Sequence, residues 1–212
     1  VNSKHFSDGC YKYSDKVQFE GQETLLKDIL CNINSKGWEI GLHPSWHAYN
    51  NLDEMELQKN TLEAIIKRKV VSVRQHFLHY DYRITPEVQR QAGFLYDATL
   101  GYNCNIGFRN GTSYPFYLNP LDGQRKSAQV LQIPLIIQDV ALMGRRKGLG
   151  LSVEKSIELI GSIADKVSAT GGVLTLSWHP KVREEDSWVE VYSRAIKMLK
   201  ERGCKLAVTT EV

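Results

Sequence analysis

A chain of 212 residues is long enough for one domain with a sizeable core, and a balance of 27 basic against 24 acidic side chains leaves no electrostatic footprint for nucleic acid. Although 42% of the residues are hydrophobic, no run approaches the roughly 18 uninterrupted apolar residues of a membrane span, and no signal-peptide pattern is present. Four cysteines (Cys10, Cys31, Cys104, Cys204) lie far apart without Cys-x-x-Cys spacing, which argues against a disulfide-stapled scaffold and against a zinc knuckle.

Residues 1–20 are polar and without period and read as loop. Residues 22–34 place Leu25, Leu26, Ile29, Leu30 and Ile33 on one helical face, ended by Ser35-Lys36-Gly37. Residues 38–42 read as a short strand that runs into His43 and His47. Asp53 is then expected to cap a helix carrying Met55, Leu62, Ile65 and Ile66, and residues 70–73 form a β-branched strand that stops at Arg74-Gln75-His76. Thr85-Pro86 is a helix start and Gly93 its end. Residues 94–97 are the next strand.

From 98 to 121 the chain is rich in Gly, Asn, Tyr and Phe without a period, as in a long functional loop. Residues 130–137 are apolar on both sides and read as one buried strand with Asp139 just past its end. Ser152 opens a helix using Val153, Ile157, Ile160, Ile163, Ala164 and Val167, closed by Gly171-Gly172. Residues 173–178 form a strand ending at His179-Pro180. Asp186 or Ser187 begins a helix bearing Val191, Tyr192, Ile196 and Leu199 that Gly203 stops, and residues 206–208 are a last strand.

Strands alternating with helices predict an α/β fold with a parallel sheet, either doubly wound or closed into a barrel. In both, chemistry gathers at the carboxyl ends of the strands. His43 and His47, then Arg74 and His76, then Asp97, Asp139 and His179 all fall there. Histidines four apart can hold a divalent cation through neutral imidazole nitrogens, which suits zinc. The plainer reading is a strand-end histidine followed by a solvated one.

Gly41-Leu42-His43-Pro44-Ser45-Trp46-His47, Arg74-Gln75-His76-Phe77-Leu78, the segment Tyr96-Asp97-Ala98 with its run to Tyr102, residues 107–112, residues 133–139 and Leu176-Ser177-Trp178-His179 together resemble the polysaccharide deacetylase (NodB-homology) family of carbohydrate esterases, over roughly residues 22–212. The resemblance implies a deformed (β/α) barrel of about seven strands, forming a single domain here, and a metal-dependent hydrolase that removes acetyl groups from a glycan. It implies His43 and His47 as ligands of a divalent metal, most readily zinc, with His179 as general acid and Asp139 and Arg74 beside it in the catalytic set. Trp46, His76, Asp97, Tyr102, Phe108, Arg109 and Trp178 would contact the glycan. Where the family keeps a serine or threonine after its first histidine this chain has Pro44, and where it keeps a proline after the arginine this chain has His76.

The family's first motif, an apolar strand running into paired aspartates, is not found. Asp8 and Asp15 stand in polar sequence and are poor substitutes for it. The expectation is an amino-terminal truncation that removes one or two strands and leaves an open sheet edge at residues 38–42 or 206–208. The alternatives are a non-catalytic glycan-binding member of the same fold and another metal-dependent amidohydrolase.

Overall fold

The computed structural model describes residues 5, 8–9, 11–119, 129–179 and 186–212, with the backbone alone at 186. Cys10, Leu121 and Pro180 lie outside the described residues. The fold is mixed α/β, and its chain divides into two compact units, residues 1–98 with 117–131, and residues 99–116 with 132–212.

The first unit opens on a hairpin that the loop reading of residues 1–20 did not anticipate. Strands β1 (Lys16–Phe19) and β2 (Gln22–Leu25) pair antiparallel with Phe19 opposite Gln22. The two-residue connection, Glu20 and Gly21, has positive φ at both positions, which matches the right-handed twist of the strands. Helix α1 (Leu26–Ser35) therefore starts four residues later than the apolar period suggested. The expected strand at 38–42 shrinks to a single parallel bridge between Leu42 and Val73, and Trp38 is exposed. Gly41 is needed there, because a Cβ at that position would sit 2.6 Å from Ser72 Oγ.

Helix α2 (Leu52–Ile66) is capped by Asn51, whose side-chain oxygen accepts the Glu54 N–H at 3.1 Å; Asp53, the expected cap, lies in the first turn instead. Strand β3 (Ser72–Val73) pairs in parallel with β4 (Tyr96–Asp97), with helix α3 (Thr85–Gln91) between them in sequence. Thr85 is the first helical residue, and its hydroxyl accepts from the Asp81 N–H rather than capping α3. Two more short strands, β5 (Phe116–Tyr117) and β6 (Leu131–Gln132), complete the order β3-β4-β6-β5. The core of this unit is built from Leu42, Met55, Leu62, Ile66, Val70, Val73 and Phe94.

The expected single strand at 130–137 is two. After β6 the chain passes through Pro134, which has no N–H to give a ladder, and enters β7 (Ile137–Gln138) of the second unit. Residues Ile133, Leu135, Ile136 and Ile137 are nonetheless all buried. Asp139 begins a five-residue helix α4 (Asp139–Met143) absent from the sequence reading. Helix α5 (Val153–Thr170) has the expected ends: Ser152 accepts from the Lys155 N–H, and Gly171 takes φ 82°.

Strand β8 (Leu176–Ser177) pairs in parallel with β7, Ile137 opposite Leu176 and Gln138 opposite Ser177. Helix α6 (Asp186–Glu201) packs Trp188, Val191, Ala195 and Leu199 inward, while Tyr192 faces outward. No strand forms at 206–208, where Leu206 is exposed. Ile136, Ile137, Leu142, Ile160, Ile163 and Val191 make the second core.

Candidate active site

In the first unit, the bridge at Leu42 puts His43 directly beyond the end of β3. Its Nδ1 lies 2.7 Å from the Arg74 carbonyl oxygen. A carbonyl only accepts, so Nδ1 carries the hydrogen and Nε2 the lone pair. The loop that follows is clamped to α2 by Gln58: its amide oxygen accepts the Ser45 N–H at 2.8 Å, and its amide nitrogen donates to Ser45 Oγ at 2.6 Å and to Glu54 at 2.5 Å. Ser45 and Gln58 are both buried. This holds the 3₁₀ turn Trp46–Asn50, from which His47 projects to the surface.

The indole of Trp46 is already occupied. His5 stacks on it in parallel at 4.5 Å, and His79 lies 4.3 Å away, itself 3.7 Å from Tyr49. His47 meets His5 edge-on at 5.7 Å. Burial holds His79 below the ordinary imidazole range; the Trp46 carbonyl opposes this, and the neighbouring His47 and His5 reinforce it.

Sequence reasoning set Asp8 aside, and the structure brings it into this cluster. Its Oδ1 lies 2.6 Å from His76 Nδ1 and accepts the Trp46 N–H at 3.0 Å, and its side chain is 7% exposed. Nothing in the polar sequence around Asp8 marks it, because the contact is made across 38 and 68 residues to donors on two other loops. His76 in turn stands at 75° to His43, with ring centres 5.0 Å apart. Phe77 and Leu78, next in the chain, both hold left-handed φ near 55°, a costly conformation for side chains of this kind.

Arg74 donates from Nε to the Ala98 carbonyl at 3.0 Å. Burial pushes its guanidinium below the ordinary range, and the Asp97 carboxylate opposes that shift. Asp97 has no exposed surface and so faces the interior rather than a solvent-borne glycan. Tyr80 is pushed well above the usual phenol range by burial, then by Asp97 and Tyr82.

In the second unit, the parallel register of β7 and β8 carries Asp139 and His179 to one place. Asp139 Oδ2 accepts the His179 backbone N–H and Oδ1 faces His179 Nδ1, both at 2.7 Å. The carboxylate is wholly buried and the imidazole side chain is 49% exposed. The hydrogen therefore sits on Nδ1, and the outward nitrogen is Nε2.

Of the other expected glycan contacts in this unit, Trp178 donates its indole N–H to the Trp188 carbonyl at 3.2 Å and Phe108 packs against the core. Arg109 donates to the Gly101 carbonyl at 2.7 Å. Tyr102 keeps an exposed ring.

The donor chemistry suits a cation only in part. The rings of His43 and His76 stand 5.0 Å apart, but among the described residues no group of three or more His, Cys, Asp or Glu side chains could hold a metal ion.

No family model matches the sequence, and no curated sequence matches it. Solved structures do. A putative polysaccharide deacetylase from Mycobacterium smegmatis matches with a TM-score of 0.62 at 19% identity, over 82% of this chain and 60% of that one. A probable polysaccharide deacetylase from Pseudomonas aeruginosa PAO1 matches at 0.59 and 17%, over 82% and 57%, and an allantoinase at 0.58 and 19%, over 82% and 57%. The chain thus spans less than two thirds of the length of each, and at this identity the likeness is one of fold.

Proposed function

We propose that the chain carries the chemistry of a hydrolase that removes acetyl groups from a glycan, on a deformed (β/α) barrel of about seven parallel strands. The observation that carries this reading is the Asp139–His179 pair, a fully buried carboxylate gripping the backbone and ring of a half-exposed histidine. Such a grip fixes the tautomer and aims Nε2 outward, which is what a general acid needs. Water adds its oxygen to the acetyl carbon and gives a proton to Nε2 of His179, the bond from that carbon to the sugar nitrogen or oxygen breaks, and Nε2 passes that proton to the departing atom. Asp139 keeps the ring in place throughout.

The fold shared with two structures described as polysaccharide deacetylases supports the substrate class. The reading assigns Arg74 to orientation of a carboxylate, and Trp46, His76, Tyr102, Phe108, Arg109 and Trp178 to the glycan side, while Asp97, with no exposed surface, takes no part there. Tyr102, with its ring exposed, offers a stacking face. A divalent cation, zinc by the preference of imidazole nitrogen, is assigned to His43 and His47 and when bound would polarise the carbonyl. The fold shared with an allantoinase favours, as a second reading, an amidohydrolase acting on another amide.

The test is acetate release from N-acetylated chito-oligosaccharides and O-acetylated xylan, with His179→Ala as control. Release that disappears in the variant supports the reading. Turnover of a non-glycan amide without any acetate release supports the second.

A further inference from the structure

The chain between α4 and α5 carries three consecutive cations, Arg145, Arg146 and Lys147, all exposed. Among the described residues no carboxylate pairs with any of them. Arginines elsewhere on the surface are neutralised: Arg83, Arg90 and Arg194 each have a carboxylate oxygen within 2.9 Å, and Arg202 pairs with Asp165. The three charges in this one turn equal the formal net charge of the whole chain, +3.

The turn is held firmly enough to aim them. The Gly144 N–H donates to the Val140 carbonyl and the Gly148 N–H to the Gly144 carbonyl, both at 3.0 Å, and the Leu149 N–H donates to the Ala141 carbonyl at 2.8 Å. Glycine is required at 144 and 148, because a Cβ at either would lie 2.3 Å from the Val140 oxygen. Helix α4, onto which the turn folds back, is itself anchored by buried Ala141, Leu142 and Met143. Charges displayed from a fixed backbone lose less entropy on capturing a partner than charges on a free loop.

The place of the turn in the fold says what that partner is. Helix α4 begins at Asp139, whose carboxylate holds His179, and its five residues rise only about 7.5 Å. The turn therefore lies on the connection that leaves the carboxyl end of β7, the end that carries half-exposed His179. Gln138, the last residue of β7, donates from Nε2 to the Tyr102 carbonyl at 3.2 Å, which ties Tyr102 and its exposed ring to the same end. An aromatic face and two planar guanidinium forks beside a general acid suit a sugar chain that bears carboxylates or phosphates. Three cations on a surface with 27 basic and 24 acidic side chains give nucleic acid no extended track.

We propose that Arg145, Arg146 and Lys147 form an anion-binding subsite beside His179 that selects an acidic glycan, one with carboxylate or phosphate groups near its acetyl groups. The inference deepens the hydrolase reading and rests on it for the sugar, while the binding of the anion does not depend on it.

Calorimetric titration of the full chain at low salt tests it, with oligogalacturonate as the carboxylate probe, phosphorylated oligomannose as the phosphate probe and neutral chito-oligosaccharide as control. At least one acidic oligomer should bind about tenfold more tightly than the neutral one, and ionic strength near ~1 M should remove that preference. The acidic oligomer that binds identifies the group that is read. Arg145→Gln, Arg146→Gln and Lys147→Gln combined should raise its Kd at least about tenfold and change that of the neutral oligomer less than about twofold. Should the triple variant fail to fold, Arg146→Gln alone should still weaken binding about threefold. Equal binding of neutral and acidic oligomers, or an unchanged Kd in the variants, overturns the proposal. So does tighter binding of a short DNA duplex, or of vesicles of phosphatidylserine and phosphatidylcholine, than of either acidic oligomer. Acetate release that depends on His179 but shows no preference for acidic glycans sinks this subsite and leaves the hydrolase reading. Anion binding lost in the triple variant, with no acetate release from any glycan, sinks the hydrolase reading and leaves the anion site standing.

Discussion

Arg74 lies in the field of Asp97, a carboxylate with no exposed surface, and donates to the carbonyl of the very next residue, Ala98. One charge cannot be removed without stranding the other in a poorly solvated place. Asp97→Ala should therefore cost about 3–5 kcal/mol, read from urea denaturation. Replacing both, Arg74→Met with Asp97→Ala, should cost less than the sum of the two single changes. Strict additivity would show that the pair is not coupled.

His179 and Asp139 separate chemistry from folding. His179→Ala is expected to lower acetate release by about 10²–10⁴-fold with little change in melting temperature, since half of its side chain is in water. Asp139→Ala leaves the His179 backbone N–H without its acceptor and should cost about 1–3 kcal/mol as well as activity. Equal activity in the His179 variant would assign the histidine to structure.

His79 predicts a pH dependence. Its folded pKa is depressed, first by burial, so as pH falls the unfolded chain takes up the proton before the folded one does. The stability it contributes is present above the ordinary imidazole pKa of about 6.5 and is lost as pH drops below it toward the folded value. His79→Gln should flatten that part of a stability-against-pH curve between pH 7 and 5. An unchanged slope would place the dependence elsewhere.

Lys67 ends α2 with φ 55° and ψ 33°, the left-handed conformation glycine adopts more easily. The residue is exposed, so Lys67→Gly removes little but strain. A gain of about 1 kcal/mol in denaturant unfolding is expected. A loss would mean that the side chain makes up for its backbone.

The long helices were legible because their apolar period and end signals agree, as at Ser152 and Gly171 around α5. The hairpin of β1 and β2 was not, since it depends on Glu20 accepting a positive φ that its side chain does not favour. The run 130–137 read as one strand because burial on both sides looks the same whether or not the ladder is broken at Pro134.

At the site, Asp139 and His179 were each legible as residues that follow a strand, but that those two strands are neighbours in register is seen only in the structure. Asp8 was not legible. Its partners are a backbone N–H and a ring nitrogen on distant loops, and no spacing in the sequence encodes such a meeting.

The stacking of His5 and His79 around Trp46 gives the molecule an optical signal. A protonated imidazole in contact with an indole quenches its emission, and the chain has only four tryptophans, Trp38, Trp46, Trp178 and Trp188. Fluorescence should dim on acidification as the His79 ring takes up its proton, and Trp46→Phe should abolish that part of the dimming. The histidine loop can thus be followed by light in the unlabelled protein, without a substrate.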